Sequence, residues 1–312
     1  MRKALIVGIN DYPGRPLRGC INDADKIADL LATNEDKSVN FDVMPCHNLK
    51  TKDDLRSKLY RLFQFEGEIS LFYFSGHGCI TKYGGYLITP DFTRNDVGIS
   101  MDEILTIANL SPARHKIIIL DCCYSGAMGT PAITENKVAF LAKGVTVLAA
   151  SRDDEPSLEA AGHGVFTSLL AEGLLGGAGD IAGKVNPTNL YSYVDKAFGA
   201  WEQRPVFKAN IIESICIRQL KPPIPKEELR KIIEYFPKLG DEFQLDPTYQ
   251  NSIPGAIPEH VAIFRILRRM HVLRLIEVPE EEYMYYATVN RRRCKLTPLG
   301  AYYWNLIKQG RL

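Results

Sequence analysis

Apolar runs of strand length alternate with amphipathic runs through the first two thirds of the chain. KALIVGI, Lys3 to Ile9, is a continuous apolar stretch and predicts a buried strand. INDADKIADLLAT, Ile21 to Thr33, sets Ile21, Ala24, Ile27, Ala28 and Leu31 at helical spacing. FDVMPC predicts a second strand. TKDDLRSKLYRLFQF opens on a Thr cap and repeats Leu55, Leu59, Leu62 and Phe63, which predicts a second helix. EISLFYFSGHG predicts a third strand ending in glycine. SMDEILTIANL predicts a short helix with Ser100 as its cap and Glu103 three residues on. HKIIILDCC and GVTVLAAS predict a fourth and a fifth strand. GVFTSLLAEGLLGG and NPTNLYSYVDKAF predict helices, and FKANIIESICI a last strand. Strands that are apolar throughout, with helices between them, imply an α/β domain: a mostly parallel sheet flanked by helices on both faces.

The pattern breaks at KPPIPKEE, Lys221 to Glu228, a proline-rich stretch that divides the chain into residues 1–220 and 221–312. Beyond it, PEHVAIFRILRRM predicts a helix and LRLIEV a strand. EYMYYATV and RRRCKLT predict a hairpin, with Asn290 and Arg291 near its turn. Thr297 and Pro298 then form a cap and first turn for LGAYYWNLIKQ. Helices followed by a hairpin and a further helix suggest a small winged-helix-like domain.

Composition adds bounds. The opening MRKALIVGINDYPG is too short to span a bilayer, and no other segment is apolar for long enough, so no membrane association is expected. Seven cysteines, odd in number and without framework spacing, point to free thiols in a reducing, cytoplasmic setting. The net charge of +1 hides an asymmetry. Residues up to Leu220 carry 23 basic and 26 acidic side chains; the remainder carry 15 and 11. The tail is mildly basic and the body mildly acidic.

The chemistry collects where the third and fourth predicted strands end. In an open parallel sheet, function gathers at the carboxyl ends of strands. LFYFSGHG delivers His77 between two glycines, and IIILDCCYSG delivers Cys122 and Cys123. A thiol attacks best as thiolate, and a nearby imidazole can take its proton. The glycines admit a substrate backbone and leave the Gly78 amide free to face an oxyanion. Successive strand residues point to opposite faces, so Cys122 should enter the sheet packing and Cys123 should emerge at the edge. Cys79, Cys122, Cys123 and His77 lack the paired spacing of a zinc site, and no Cys-x-x-Cys is present. GHG recurs at Gly162 to Gly164, but it follows a charged loop, so His163 is expected to be a surface residue. His77 lies 46 residues before Cys123, close to the ~50 of caspase-type enzymes.

Three motifs in order, LRGCINDADKIADLL, SGHG and DCCYSG, resemble those of the metacaspases and their bacterial caspase-like relatives, over roughly Met1 to Leu220. The resemblance implies a cysteine endopeptidase with a Cys-His dyad. Its Asp-x-Cys motif makes Cys123 the nucleophile and His77 the general base, with the Gly78 and Cys123 amides holding the oxyanion. Tyr124 departs from the family's usual His after the nucleophile. The resemblance further implies cleavage after Arg or Lys, in an acidic pocket built from Asp23 and Asp121, with Cys20 and Ser75 at the other pocket positions. Buried carboxylates are costly until a cation meets them, which is a physical reason to expect a basic substrate side chain. Asp23 in a first helical turn also gains from the helix dipole, by ~0.3–1 kcal/mol.

Some relatives bind calcium through acidic residues outside the active site. Asp91, Asp153 and Asp154 do not make a full cluster, so no cofactor is expected to be required. Relatives are often cut between the two halves of the protease; here the linker offers Lys137 and Lys143, with Lys137 favoured because Lys143 lies close to the next strand. In the tail, Arg265, Arg268 and Arg269 share a helical face, and Arg291 to Arg293 would lie near the hairpin tip. The tail is therefore expected to bind a regulatory protein partner, with DNA as the lesser alternative. Tyr283, Tyr285, Tyr286, Tyr302, Tyr303 and Trp304 are expected to build its core and interface. Regulated cell death or defence is the analogous setting, and a catalytically silent scaffold is the rival reading.

Overall fold

The structure is a computed structural model and describes residues 1–122, 140–150, 159–160, 163–198, 205–211 and 213–312. The described residues divide into two compact units, one of residues 1–180 and 184–221, the other of residues 181–183 and 222–312.

In the first unit, β1 (Arg2–Gly8), β2 (Asp42–His47) and β3 (Ile69–Ser75) are joined through α1 (Cys20–Ala32) and α2 (Lys52–Phe63). β4 (Gly78–Thr81), β5 (Gly84–Thr93) and β6 (Asp96–Ser100) follow, then α3 (Met101–Asn109), β7 (His115–Asp121) and β8 (Val145–Ala149). β9 (Glu159–Ala160) and β10 (His163–Gly164) form a minimal antiparallel pair ahead of α4 (Val165–Glu172). β11 (Lys184–Val185), α5 (Pro187–Phe198), β12 (Val206–Ala209) and β13 (Arg218–Gln219) complete the unit.

Among the described residues, six strands form the main sheet in the order β12-β8-β7-β3-β1-β2. β2, β1, β3, β7 and β8 run parallel, and β12 closes the edge antiparallel to β8. The last strand is thus shorter than FKANIIESICI suggested. Pro45, which donates no backbone hydrogen bond, lies in β2 at the other edge, where such a residue is tolerated.

The strands are apolar throughout because both faces are covered. Alternate residues divide between two cores: Ile6, Tyr73, Ile117 and Ile119 pack with α1, α4 and α5 residues such as Ile27, Phe166 and Val194. Val7, Phe72, Phe74, Ile118 and Leu120 pack with α2 and α3 residues such as Leu59 and Ile104. Each fully buried side chain of this size contributes about 1.5–3 kcal/mol by leaving water. The helix starts follow the predicted caps. Thr51 Oγ1 accepts from the Asp54 amide, and Ser100 Oγ accepts from the Glu103 amide at 3.0 Å.

The second unit contains α6 (Lys226–Arg230), α7 (Ile232–Tyr235), β14 (Glu242–Gln244), α8 (Pro258–Val272), β15 (Ile276–Glu277), α9 (Met284–Val289), β16 (Arg293–Leu296) and α10 (Pro298–Lys308). Its sheet is antiparallel in the order β14-β16-β15. EYMYYATV is α9, not a strand, because Met284, Ala287 and Thr288 bury one helical face. The predicted hairpin is therefore absent among the described residues. Trp304 is buried, with Nε1 donating to the Phe236 carbonyl at 2.6 Å. Tyr283, Tyr285, Tyr286 and Tyr302 are exposed rather than part of the core.

Candidate active site

Register brings two of the predicted site residues together. Gly8 pairs with Ser75, and Ser75 with Asp121, at the carboxyl ends of β1, β3 and β7. Alternation puts Ser75 and Asp121 on the face shared by Tyr73 and Ile119, which α1 and α4 cover. Asp23 lies in the first turn of α1 and is only 2% exposed. Its Oδ2 accepts from Ser75 Oγ at 3.3 Å and from the Gly164 amide at 3.1 Å. Burial raises the Asp23 carboxyl above the ordinary range, while the Gly164 amide and His163 pull the other way. Cys20, at the start of the same helix, is buried, and its amide donates to Asn10 Oδ1 at 3.0 Å.

Asp121 is also buried, and a chain of donors supports its charge. Thr167 Oγ1 donates to Asp121 Oδ2 at 2.6 Å, so the Tyr73 hydroxyl, 2.5 Å from Thr167 Oγ1, must donate in turn. Burial keeps that Tyr73 phenol protonated. Gly164 passes between the two carboxylates. A Cβ there would lie 2.3 Å from Asp121 Oδ2 and 3.2 Å from Asp23 Oδ2, so close approach requires glycine at this position.

His77 follows directly from β3. Its amide donates to the Tyr12 hydroxyl at 3.1 Å, and that hydroxyl donates to the Ile88 carbonyl at 3.2 Å. The Tyr12 ring packs 4.6 Å from the imidazole, centroid to centroid. His77 Nε2 lies 2.8 Å from the Arg15 carbonyl oxygen. A carbonyl only accepts, so Nε2 carries the proton and Nδ1 of the neutral ring is the available base. The Ile88 amide donates to the His77 carbonyl, which makes Gly78 and Leu87 a non-hydrogen-bonded pair of the β4–β5 ladder. The Gly78 N–H consequently turns away from β5.

Cys122 is 1% exposed and sits in the core on the α2–α3 side with Val7 and Leu120. Cys123, Tyr124, Lys137, Asp153 and Asp154 lie outside the described residues. Lys143 is exposed, but its carbonyl accepts from Lys116 Nζ at 2.7 Å and the Gly144 amide donates to the Asn210 carbonyl. That segment is tied into the sheet. Asp91 stands at the start of α2, where it accepts from the Lys52 amide and from Thr89 Oγ1 at 2.6 Å. Among the described residues, no group of three or more His, Cys, Asp or Glu side chains is placed to hold a metal ion, and no helix is long and apolar enough to cross a membrane.

One residue has a partner that the sequence did not show. His163 is partly exposed, as expected of a surface residue, but its Nδ1 lies 2.9 Å from Asp23 Oδ1. Sequence reasoning also missed Tyr12, Tyr73 and Thr167. The signal available for Thr167 was its place three residues after the glycine of a second GHG, one turn into a helix. Arginines expected in a basic wing carry acidic partners. Arg292 pairs with Glu280 at 2.6 Å and Arg293 with Glu242 at 3.1 Å. On α8, Arg269 pairs with Glu228, while Arg265 and Arg268 line a groove of about 510 Å³ with Tyr249, Phe264 and Val272.

A family described as the caspase domain matches residues 1–213. Among solved structures, a crystal structure of a Geobacter sulfurreducens protein is similar with a TM-score of 0.53 at 16% identity, covering 70% of this chain and 99% of that one. This second likeness concerns the fold alone. A search of curated proteins finds no match.

Proposed function

Because the chain belongs to the caspase-domain family of cysteine peptidases, we propose that it hydrolyses polypeptides after Arg or Lys through a thioester on Cys123. The observation that carries this reading is the pair of buried carboxylates, Asp23 and Asp121, packed against one glycine beside the strand that delivers His77. An arginine or lysine side chain entering there meets two carboxylates already stripped of water. Burial of Asp23 works against its own ionisation, and a substrate cation offsets that cost.

In the proposed reaction, His77 Nδ1 takes the Cys123 thiol proton. The thiolate attacks the scissile carbonyl carbon, and the carbonyl π pair moves to oxygen. The Gly78 and Cys123 amides stabilise that oxyanion. As the intermediate collapses, the imidazolium protonates the leaving amine, the C–N bond breaks and a thioester remains. Water, deprotonated by His77, then hydrolyses the thioester and restores the thiol. The Arg15 carbonyl keeps the ring in the tautomer this sequence needs. Every step uses protein groups and water, so we propose that no cofactor is required and that calcium is dispensable. Of the two processing candidates, Lys137 is the preferred site, since the backbone at Lys143 is hydrogen-bonded into the sheet.

The unit from Pro222 onward is read as the regulatory module, engaged by a protein partner, in a setting such as cell death or defence. Arg265 and Arg268 make no ion pair among the described residues, and they stand in a groove with apolar walls. A partner segment combining carboxylates with apolar side chains suits that lining. The engagement of Arg292 and Arg293 by acidic residues weighs against a DNA-binding wing.

The test is cleavage of fluorogenic peptides ending in Arg, Lys or Asp by the wild type, Cys123→Ala and Cys122→Ala. Arg and Lys cleavage, abolished in Cys123→Ala and retained in Cys122→Ala, is the expected result. Preference for Asp would overturn the pocket reading. Loss in Cys122→Ala with retention in Cys123→Ala would overturn the choice of nucleophile. A wild type inert to all three peptides and to thiol-reactive peptide labels would favour a silent scaffold.

A further inference from the structure

The two carboxylates of the pocket are held in different ways. Asp121 receives the Thr167 hydroxyl at 2.6 Å and the Thr167 amide at 3.3 Å, with the Tyr73 hydroxyl behind. None of these donors changes charge near neutrality. Asp23 receives the Gly164 amide and Ser75 Oγ on one oxygen, but its other oxygen faces His163 Nδ1 at 2.9 Å. An imidazole is the side chain whose charge changes between about pH 5 and 8. The burial of the pair is lopsided. The Asp23 side chain is 2% exposed and that of His163 is 41% exposed, so the imidazole reaches the carboxylate from the solvent side.

We propose that His163 is a specificity-determining residue of the pocket: its imidazole occupies one oxygen of Asp23 in the empty enzyme, and a substrate guanidinium or ammonium must take over that carboxylate from it. This rests on the reading of Asp23 as the substrate-binding carboxylate and adds what competes for it. When His163 is charged, Asp23 is already matched and an incoming cation gains less. When His163 is neutral, its N–H can still donate to Asp23, but the carboxylate keeps its full charge for substrate. The pocket should therefore grip basic residues more tightly as pH rises, independently of the dyad's own titration.

Among the described residues, the other titratable groups around the pair are Asp121 on β7, Cys20 on α1 and Tyr73 on β3. Asp121 attracts both competing cations. Tyr73 stays neutral because burial raises its phenol well above the ordinary value. Cys20 lies on the same helix as Asp23 and remains in the variant proposed below, so any contribution from its thiol appears equally in both proteins.

The experiment compares the wild type with His163→Gln, which keeps an N–H donor for Asp23 and cannot carry charge. KM and kcat for an Arg fluorogenic peptide, and the inhibition constant of benzamidine as a plain cation, are measured from pH 5.5 to 8.5. Circular dichroism melts confirm that the two proteins are equally folded. In the wild type, KM and the benzamidine constant should rise about tenfold from pH 8 to pH 5.5, the worth of one nearby charge. In His163→Gln both constants should rise clearly less than in the wild type, the remainder coming from protonation of Asp23 itself, whose carboxyl burial already raises, while the pH profile of kcat is unchanged. A wild-type KM that does not change with pH, or the same rise in His163→Gln, would overturn the proposal and leave the pocket reading intact. Failure to cleave or bind any arginine ligand at any pH would instead remove the pocket reading, and this proposal with it.

Discussion

Two of the histidine–carboxylate pairs beside the parallel sheet, one at its carboxyl end and one at its amino end, are built inside out relative to one another. At the carboxyl end, His163 is 41% exposed and Asp23 2%; at the amino end, His115 is 4% exposed and Glu213 41%. The separations are similar, 2.9 and 3.1 Å. Burial raises the Asp23 carboxyl and lowers the His115 imidazole, each away from its charged form. The consequences differ. A buried imidazole simply goes neutral and fills its place; it asks nothing of a ligand. A buried carboxylate held by amide, hydroxyl and imidazole donors keeps a demand for positive charge, and the open side of that pair is where a substrate would approach. Which partner is buried, rather than which residues are paired, separates a structural contact from a site.

The most damaging change to this contrast is Asp23→Asn. It should lower kcat/KM for arginine peptides by about a hundredfold or more, since losing one partner of a desolvated ion pair costs about 3–5 kcal/mol. The fold should respond in the opposite sense. A carboxyl raised by burial adds stability below the ordinary carboxylate range, and that stability is lost as pH rises through its raised value. Asparagine has no charge to bury, so the melting temperature of Asp23→Asn at neutral pH should equal or exceed that of the wild type. A clear fall would mean that the Asp23 charge is structural.

Tyr12→Phe tests the mounting of the base. It removes the hydroxyl that accepts from the His77 amide and donates to the Ile88 carbonyl. It should lower kcat about tenfold with KM little changed, at a stability cost of about 1–2 kcal/mol. An unchanged kcat would show that the Arg15 carbonyl alone orients the ring.

His115→Gln tests the amino end. A lowered imidazole pKa contributes stability above the ordinary histidine value, lost as pH falls through that value toward the lowered one. Melting curves should therefore show the wild type losing more stability than the variant between about pH 6.5 and 5. Peptidase activity should stay within about twofold of wild type. A large loss would mean that the amino-end cleft of about 340 Å³, which His115 and Glu213 line with Asn186 and Thr188, communicates with the active site. The smallest effect is expected from Arg293→Ala, an exposed ion pair worth no more than about 0.5 kcal/mol. A strong loss of duplex DNA binding in that variant would favour a DNA-binding wing over a protein partner.

The parallel sheet, its helices and the caps at Thr51 and Ser100 were legible because each is written locally, in short continuous apolar runs, in a period of 3.6 residues and in single polar residues at helix starts. The family motifs implied a pocket of Asp23, Ser75 and Asp121; register sets Ser75 beside Asp121, and Ser75 Oγ donates to Asp23 Oδ2 from the neighbouring helix. What escaped was non-local or evenly balanced. His163 and Asp23 are separated by 140 residues, so the loop around His163 gave no sign of its partner. Met284 to Val289 is rich in aromatic and β-branched residues that favour strands, yet burial of Met284, Ala287 and Thr288 on one side selects a helix. The antiparallel strands between Gly78 and Ser100 were hidden because their sequence, broken by Gly78, Gly84, Gly85 and Gly98, lacks a continuous apolar pattern.

The central claim is that Cys123 is the nucleophile of a pocket made for basic residues. The most direct measurement treats the wild type with matched acyloxymethyl ketone peptides ending in Arg or Asp and maps the adduct by mass spectrometry. The account predicts one adduct, on Cys123, formed by the Arg probe, suppressed by benzamidine and absent with the Asp probe. An adduct on Cys122, or faster labelling by the Asp probe, would contradict it.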